Sequence, residues 1–287
     1  MIIVRLQGGL GNQLFQYACG RAISIRNDDV LKLDISGYQS QARGDTVRTY
    51  SLEHFNIMEN IASDAEILKL KYPFGAISKG KRFIQQKLLR QFNVGFYPRI
   101  LSLKGDMYLD GYWQSENYFT DVAETIRTEI TLRQPYGRDA GKMAASIAAK
   151  LISVSLHVRR ADYVQDMKTN KAHGTCTKEY YDAALACIGK KVPNFHVFVF
   201  SDDIEWVKTA MTIPYPTTYV SNPEIADYEE LILMSSCTHA IIANSSFSWW
   251  GAWLNRNSNK IVIAPRQWVV RGRHNYKDIT PPSWIRI

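Results

Sequence analysis

Ala240-Ile241-Ile242-Ala243-Asn244-Ser245-Ser246-Phe247-Ser248-Trp249-Trp250-Gly251-Ala252-Trp253-Leu254-Asn255 is the stretch whose reading decides the fold. Residues 240–243 are a continuous apolar run, the pattern of a parallel strand buried on both faces. Four small polar side chains (Asn244, Ser245, Ser246 and Ser248) lead into a segment with helical apolar spacing: Trp249, Trp250, Trp253, Leu254. Strand, polar loop and helix start together make an anion site. The first N–H groups of a helix lack partners, the helix dipole adds positive potential, and hydroxyls add donors. A Ser N-cap on a tryptophan-rich core helix gives the same pattern.

Working outward, two more strand-like runs end in polar clusters. Leu151 to His157 runs into His157-Val158-Arg159-Arg160-Ala161-Asp162-Tyr163, and His196 to Phe200 runs into Ser201-Asp202-Asp203. In an open α/β sheet, ligands bind beyond the carboxyl ends of the strands. An arginine fork binds two oxygens of a phosphate at once. Strand alternation places His157 and Arg159 on one face and Arg160 on the other, where a carboxylate such as Asp162 would hold it. Asp203 suits the N-cap of a helix opening at Ile204, and Asp202 suits a base edge. The pair equally resembles a two-carboxylate metal clamp.

At the N-terminus, Ile2 to Leu6 reads as a strand and Gln7-Gly8-Gly9-Leu10-Gly11-Asn12 as a Gly-rich turn. A helix follows from Gln13 and then a strand, Val30 to Asp34, so the chain opens as a βαβ unit. Two glycines of a dinucleotide fingerprint are present, with Asp34 at ribose-binding distance, but Leu14 stands where the third glycine belongs. A nicotinamide-dependent oxidoreductase stays open on that basis, and so does a non-catalytic carbohydrate-binding protein. Strands are also expected at 107–113 and 261–265. Helices are expected within 63–100 and at 121–132, 139–149, 178–188, 203–208 and 228–236. Arg133-Gln134-Pro135-Tyr136-Gly137 interrupts the pattern and separates an N-terminal α/β domain, 1–135, from a C-terminal one, 136–287.

Composition narrows the class. The chain has 287 residues, 46% hydrophobic and 12% aromatic, which fits two globular domains. No apolar run is long enough to span a membrane, and the N-terminus lacks a signal-peptide pattern. Cys19, Cys176, Cys187 and Cys237 show neither Cys-x-x-Cys nor zinc spacing, as expected of thiols in a reducing cytoplasm. Net charge is +8, and the stretch between Glu66 and Asp106 holds nine cations and no acid. Residues 69–104 therefore read as a solvated face or as peripheral contact with an anionic membrane on its inner, cytoplasmic side. No nucleic-acid motif accompanies them.

The segments Leu6 to Ala18, His157 to Tyr163, Phe200 to Asp203 and Ala243 to Trp253, with Gly111-Tyr112-Trp113-Gln114-Ser115-Glu116 and Met234 to Cys237, resemble the motifs of the α-1,2-fucosyltransferases, glycosyltransferase family eleven. The matches keep the family's order and span nearly the whole chain. The resemblance implies a GT-B-like fold, with two Rossmann-like α/β domains facing a cleft. It implies an inverting galactoside α-1,2-fucosyltransferase that needs no metal and no cofactor. Fucose would pass from GDP-fucose to the 2-hydroxyl of a galactose-terminated glycan, as in bacterial members that decorate O-antigen. It implies that Arg159 meets the donor pyrophosphate and acts catalytically. Ser245, Ser246 and Phe247 would line the phosphate side and Asp202 would contact guanine. His157, Asp162 and Asn244 complete the implied donor site. Asn12 and Gln13 would face the acceptor, with Asn12 also catalytic. The family usually has Gly where this chain has Ala161. A proton acceptor is not chosen among Asp34, Asp110, Glu116 and His54.

Overall fold

Three parallel strands, β1 (Ile2–Arg5), β2 (Leu31–Asp34) and β3 (Met107–Leu109), form a sheet in the order β2-β1-β3, with Ile2 paired to Leu31 and to Met107. The computed structural model describes residues 1–38, 47–83, 94–160, 175–269 and 277–287, without the side chains of 76 and 81–83. Between β1 and β2 runs α1 (Leu10–Asn27). Its inner face, Leu14, Phe15, Tyr17, Ala18 and Ala22, has essentially no exposed surface. Gly20 lets the helix lie close to the sheet, because a Cβ there would come within 2.9 Å of Leu31 and 3.1 Å of Val4. Expectation and structure agree on this βαβ opening. The buried Tyr17 hydroxyl and Arg21 both bond Glu129, at 2.6 and 2.9 Å, tying α1 to α4 (Ala123–Glu129). Two further helices, α2 (Asp64–Lys71) and α3 (Ala76–Phe83), lie in the expected helical region. The expected strand at 107–113 stops at Leu109, where its pairing with β1 ends, and Trp113 beyond it takes a left-handed backbone, φ +53°.

The second half is a six-stranded, wholly parallel sheet: β4 (Ser153–Val158), β5 (His196–Ser201), β6 (Thr217–Tyr219), β7 (His239–Ile241), β8 (Val262–Ala264) and β9 (Ile285–Arg286). Its order is β6-β5-β4-β7-β8-β9. Helices α5 (Arg138–Ala148), α6 (Lys178–Gly189), α7 (Ile204–Ala210), α8 (Asp227–Ser236) and α9 (Ser246–Leu254) connect them. Every residue of β4 is buried, as are Val197 to Phe200 of β5, which is why both read as nearly unbroken apolar runs. Trp249 and Trp250 are fully buried, and Trp249 packs on Trp253 and Trp284 at 6.1 and 5.5 Å. The tryptophan-rich helix is thus a core element whose N-terminus alone reaches the strand ends.

The chain divides into two compact units: Met1–Arg133 with His274–Pro281, and Gln134–Arg273 with Pro282–Ile287. A single cut at 135/136 misses the second crossing. Ser115 Oγ holds the carbonyl of Asp278 at 2.9 Å, so part of the C-terminal segment is bound to the first unit. No helix among the described residues is long and apolar enough to cross a membrane.

Candidate active site

In the second unit the chain runs outward from β4 to β5 and β6, then returns to place β7 on the other side of β4. Such a reversal leaves a crevice at the carboxyl ends of the two strands, the place where α/β sheets bind ligands. Here the ends of β4 and β7 carry His157-Val158-Arg159-Arg160 and Asn244-Ser245-Ser246-Phe247. The two clusters meet, since the His157 ring lies 5.7 Å from the Phe247 ring. Ser245 is the N-cap of α9, its hydroxyl accepting from Phe247 N at 3.3 Å. That capping bond is worth about 1 kcal/mol and fixes the start of the helix toward the crevice. Asn244 is buried; its carboxamide donates to Trp268 O at 3.3 Å and accepts from Cys176 Sγ at 3.5 Å. It shapes the loop from beneath.

The paired arginines go to two consecutive aspartates at the end of β5. Arg159 Nε meets Asp202 Oδ2 at 3.1 Å, while the other Asp202 oxygen accepts the backbone N–H of Arg160 at 2.8 Å. Arg160 bonds Asp203 at 3.4 Å and stacks its guanidinium 3.6 Å above the Trp206 ring. Asp203 caps α7 through Trp206 N at 3.2 Å, the cap expected of it. β4 ends at Val158, so strand alternation no longer governs residues 159 and 160. The partner of Arg160 is Asp203, and Asp162 lies outside the described residues. Both oxygens of Asp202, the expected guanine contact, engage the arginine pair. Nearby, Glu230 of α8 went unnoticed in the sequence because it reads as an ordinary helix-surface acid. Burial pushes its carboxyl up to about 7, with repulsion from Asp227 and Asp202 adding to this and a Ser221 hydrogen bond opposing it.

His157 is 3% exposed and its Nδ1 is buried without a hydrogen-bond partner. Burial first, then the Arg159 charge, lower its pKa to about 3, so the ring is neutral. The unfolded chain takes up a proton near pH 6.5 and the folded one only near 3. Between those values the unfolded state binds more protons, so stability falls as pH falls. Urea midpoints of the native protein and of His157→Gln should therefore converge or cross between pH 7 and pH 5. The native protein loses roughly 2 kcal/mol more over that range. Parallel profiles would refute this origin of acid sensitivity.

In the first unit the Gly-rich turn is pinned by side-chain amides of α1. Gln16 bonds both the N–H and the C=O of Gln7, at 2.9 and 3.3 Å. Gln13 donates to Gly8 O at 3.1 Å and Thr49 O at 2.8 Å and accepts from Ser51 N at 3.0 Å. Gln13 is fully buried with both donors spent. The expectation that it binds acceptor is corrected: it braces residues 49–51 against the turn. Gly8 has φ +80°, and a Cβ there would meet Asn12 Nδ2 at 2.7 Å, so glycine is required twice over. Asn12 Oδ1 accepts from Gln114 Nε2 at 2.8 Å. Gln114 follows the left-handed Trp113, a strained backbone for a bulky residue and one that clusters at functional sites.

Arg5, Asp34 and Asp110 stand at the carboxyl ends of the three strands. Arg5 pairs with Asp110 at 3.3 Å. Asp34 is fully buried and takes hydrogen bonds from Ser36 N, Ser36 Oγ and the Tyr108 hydroxyl. Burial raises its pKa, but those bonds and nearby Lys71 outweigh it, and the carboxyl is held below its usual range. That makes Asp34 a poor proton acceptor, and it has no exposed edge for a ribose, which the dinucleotide alternative requires. Among the described residues no group of three His, Cys, Asp or Glu side chains is placed to hold a metal ion.

Residues 76–287 match the family described as Glycosyl transferase family 11. The chain is 35% identical to an alpha-1,2-colitosyltransferase of Escherichia coli, over 100% of this chain and 99% of the relative. It is 30% identical to the O-antigen biosynthesis glycosyltransferase WbnK of Escherichia coli, over 98% and 99%. A galactoside 2-alpha-L-fucosyltransferase of Caenorhabditis elegans is 22% identical, over 100% of this chain and 79% of the relative. Among solved structures, fucosyltransferase NodZ from Bradyrhizobium aligns with a TM-score of 0.54 at 13% identity, covering 87% of this chain and 91% of NodZ. That likeness concerns the fold, which is GT-B-like.

Proposed function

The chain belongs to glycosyltransferase family 11, and from that membership we propose that it moves L-fucose from GDP-fucose to the 2-hydroxyl of a terminal galactose, on an oligosaccharide or lipid-linked glycan of O-antigen type. The observation that carries this reading is the meeting of His157 with Phe247, which joins the arginine cluster to the serine loop. In the proposed step the acceptor oxygen attacks the anomeric carbon and the bond to the β-phosphate oxygen breaks, with inversion. GDP leaves with the electron pair, and the acceptor loses its proton. Negative charge grows on the diphosphate. Arg159 and the N–H and hydroxyl groups of Ser245 and Ser246 would meet it in advance, and such preorganised donors are usually the largest catalytic contribution. They do the work a divalent cation would otherwise do. Activity should therefore survive excess chelator; a loss of more than about tenfold, restored by manganese, would overturn that.

A second reading follows from the 35% identical colitosyltransferase. Colitose is the 3-deoxy counterpart of fucose, so the two donors differ by one hydroxyl. A site that hydrogen-bonds a hydroxyl rejects the analogue lacking it far more strongly than an apolar pocket rejects the hydroxyl. Transfer from GDP-fucose and GDP-colitose to the same galactoside, with linkage analysis of products, tests the assignment. Efficient transfer from GDP-colitose alone would replace fucose by colitose. A melting-temperature rise with GDP and none with NAD or oligonucleotide separates transfer from the other readings. A rise with NAD alone would overturn both donor assignments.

A further inference from the structure

The turn between α2 and α3 carries large exposed apolar side chains. Phe74 is 75% exposed and Ile77 78%, although the hydrophobic effect favours burying both. Leu68, on α2, is 54% exposed. Helix α2 does not need that side chain for its own packing. Its inner face is Ile67, which is buried with Ile3 and Ala62, and its start is fixed by a capping box of Ser63 and Glu66. Gly75, between Phe74 and Ile77 in the chain, takes a left-handed backbone, φ +54°.

Exposed lysines flank these apolar residues in the sequence. Lys79 approaches the Tyr72 ring at 5.4 Å, whereas Lys71 approaches both the Tyr72 and the Tyr108 rings, at 5.8 and 5.2 Å, and its charge acts on Asp34. Lys69 is exposed. No acid occurs between Glu66 and Asp106 in the sequence. Lys87 and Arg90 of the same stretch lie outside the described residues. Exposed apolar side chains at a turn, with exposed lysines before and after them in sequence, match the two layers of an anionic bilayer. The aromatic and aliphatic groups enter the headgroup–acyl boundary while the cations stay at the phosphates.

We propose that this turn, centred on Phe74 and Ile77 with the exposed Lys69 and Lys79, docks the protein on an anionic lipid bilayer. The charge complementarity selects a bilayer over a second copy of this chain, which would bring like charges together. The surface lies outside the donor and acceptor residues, so docking and catalysis can be tested separately.

The full-length protein is sedimented with vesicles of phosphatidylcholine, with and without 30% (roughly one lipid in three) phosphatidylglycerol. Binding is expected only to the anionic vesicles, and it should weaken at least about tenfold between 50 mM and 500 mM salt, where screening lengths fall several-fold. Phe74→Asp and, separately, the pair Lys69→Gln with Lys79→Gln should each weaken it by about tenfold or more. Because these positions are exposed, both variants should keep the melting temperature and the rate of transfer to a water-soluble acceptor. Equal binding to neutral and anionic vesicles, no binding to either, or a self-association that Phe74→Asp abolishes would each overturn the proposal. Loss of transfer with normal vesicle binding would count against the proposed function and leave the docking surface standing.

Discussion

Arg159→Lys should lower kcat/KM by a factor on the order of 100 or more while the protein stays folded. Asp202 grips the arginine through Nε, at 3.1 Å, which sets the plane of the guanidinium. A planar fork held at one edge can present its terminal nitrogens to two oxygens of a diphosphate; an ammonium on a flexible stem cannot. Lysine keeps the charge, so the loss isolates geometry. It should fall on kcat as well as on GDP affinity, because diphosphate charge grows as the sugar departs. Arg160→Lys should behave differently. Its guanidinium lies 3.6 Å over Trp206 and bonds Asp203, so lysine forfeits a stacked contact worth roughly 1–2 kcal/mol. A melting temperature lower by a few degrees, with activity retained in the cold, is expected. Steady-state kinetics and thermal melts of both variants decide the matter. An inactive, normally stable Arg160→Lys beside an active Arg159→Lys would reverse the roles.

What the sequence showed well was periodic and local. The apolar runs of β1, β4, β5 and β7, and the helical spacing of α1 and α9, follow from burial on one or both faces, so they can be read residue by residue. The strand ends followed from them, and with them the residues that meet at the ends of β4, β5 and β7 in the second unit. Through-space partnerships could not be read. Gln13 resembles a ligand-facing amide until its partners at 49 and 51 are seen, and those lie 36 and 38 residues away. Gln114 reaches Asn12 across 102 residues. Asp202 was expected to be a base contact because it sits at a strand end, but two successive arginines claim its two oxygens. The short strands β6 and β9, of three and two residues, owe their form to pairing with β5 and β8 rather than to any pattern of their own. The second crossing of the chain, at 274–281, ends on the pair Pro281-Pro282, a break too short to mark a change of unit by itself.

Asp202→Asn should cost about tenfold to a hundredfold in kcat/KM and leave nucleotide selectivity intact. The carboxylate faces two donors, Arg159 Nε and the Arg160 backbone N–H. An amide offers one oxygen and one NH2, so whichever way it turns, a donor meets a donor. A hydrogen bond to a charged group is worth about 1.5–3 kcal/mol, and its loss here releases either the Arg159 fork or the backbone that carries it. If Asp202 instead read guanine, the same substitution would leave kcat largely unchanged and erase discrimination between GDP and ADP. Inhibition constants for the two nucleotides, measured beside kcat on native and variant protein, separate the outcomes. A fall in kcat at constant selectivity assigns Asp202 to the arginines. Guanine recognition would then fall to other groups, and Glu230, the neighbouring carboxyl held near neutrality by burial, becomes the next position to test.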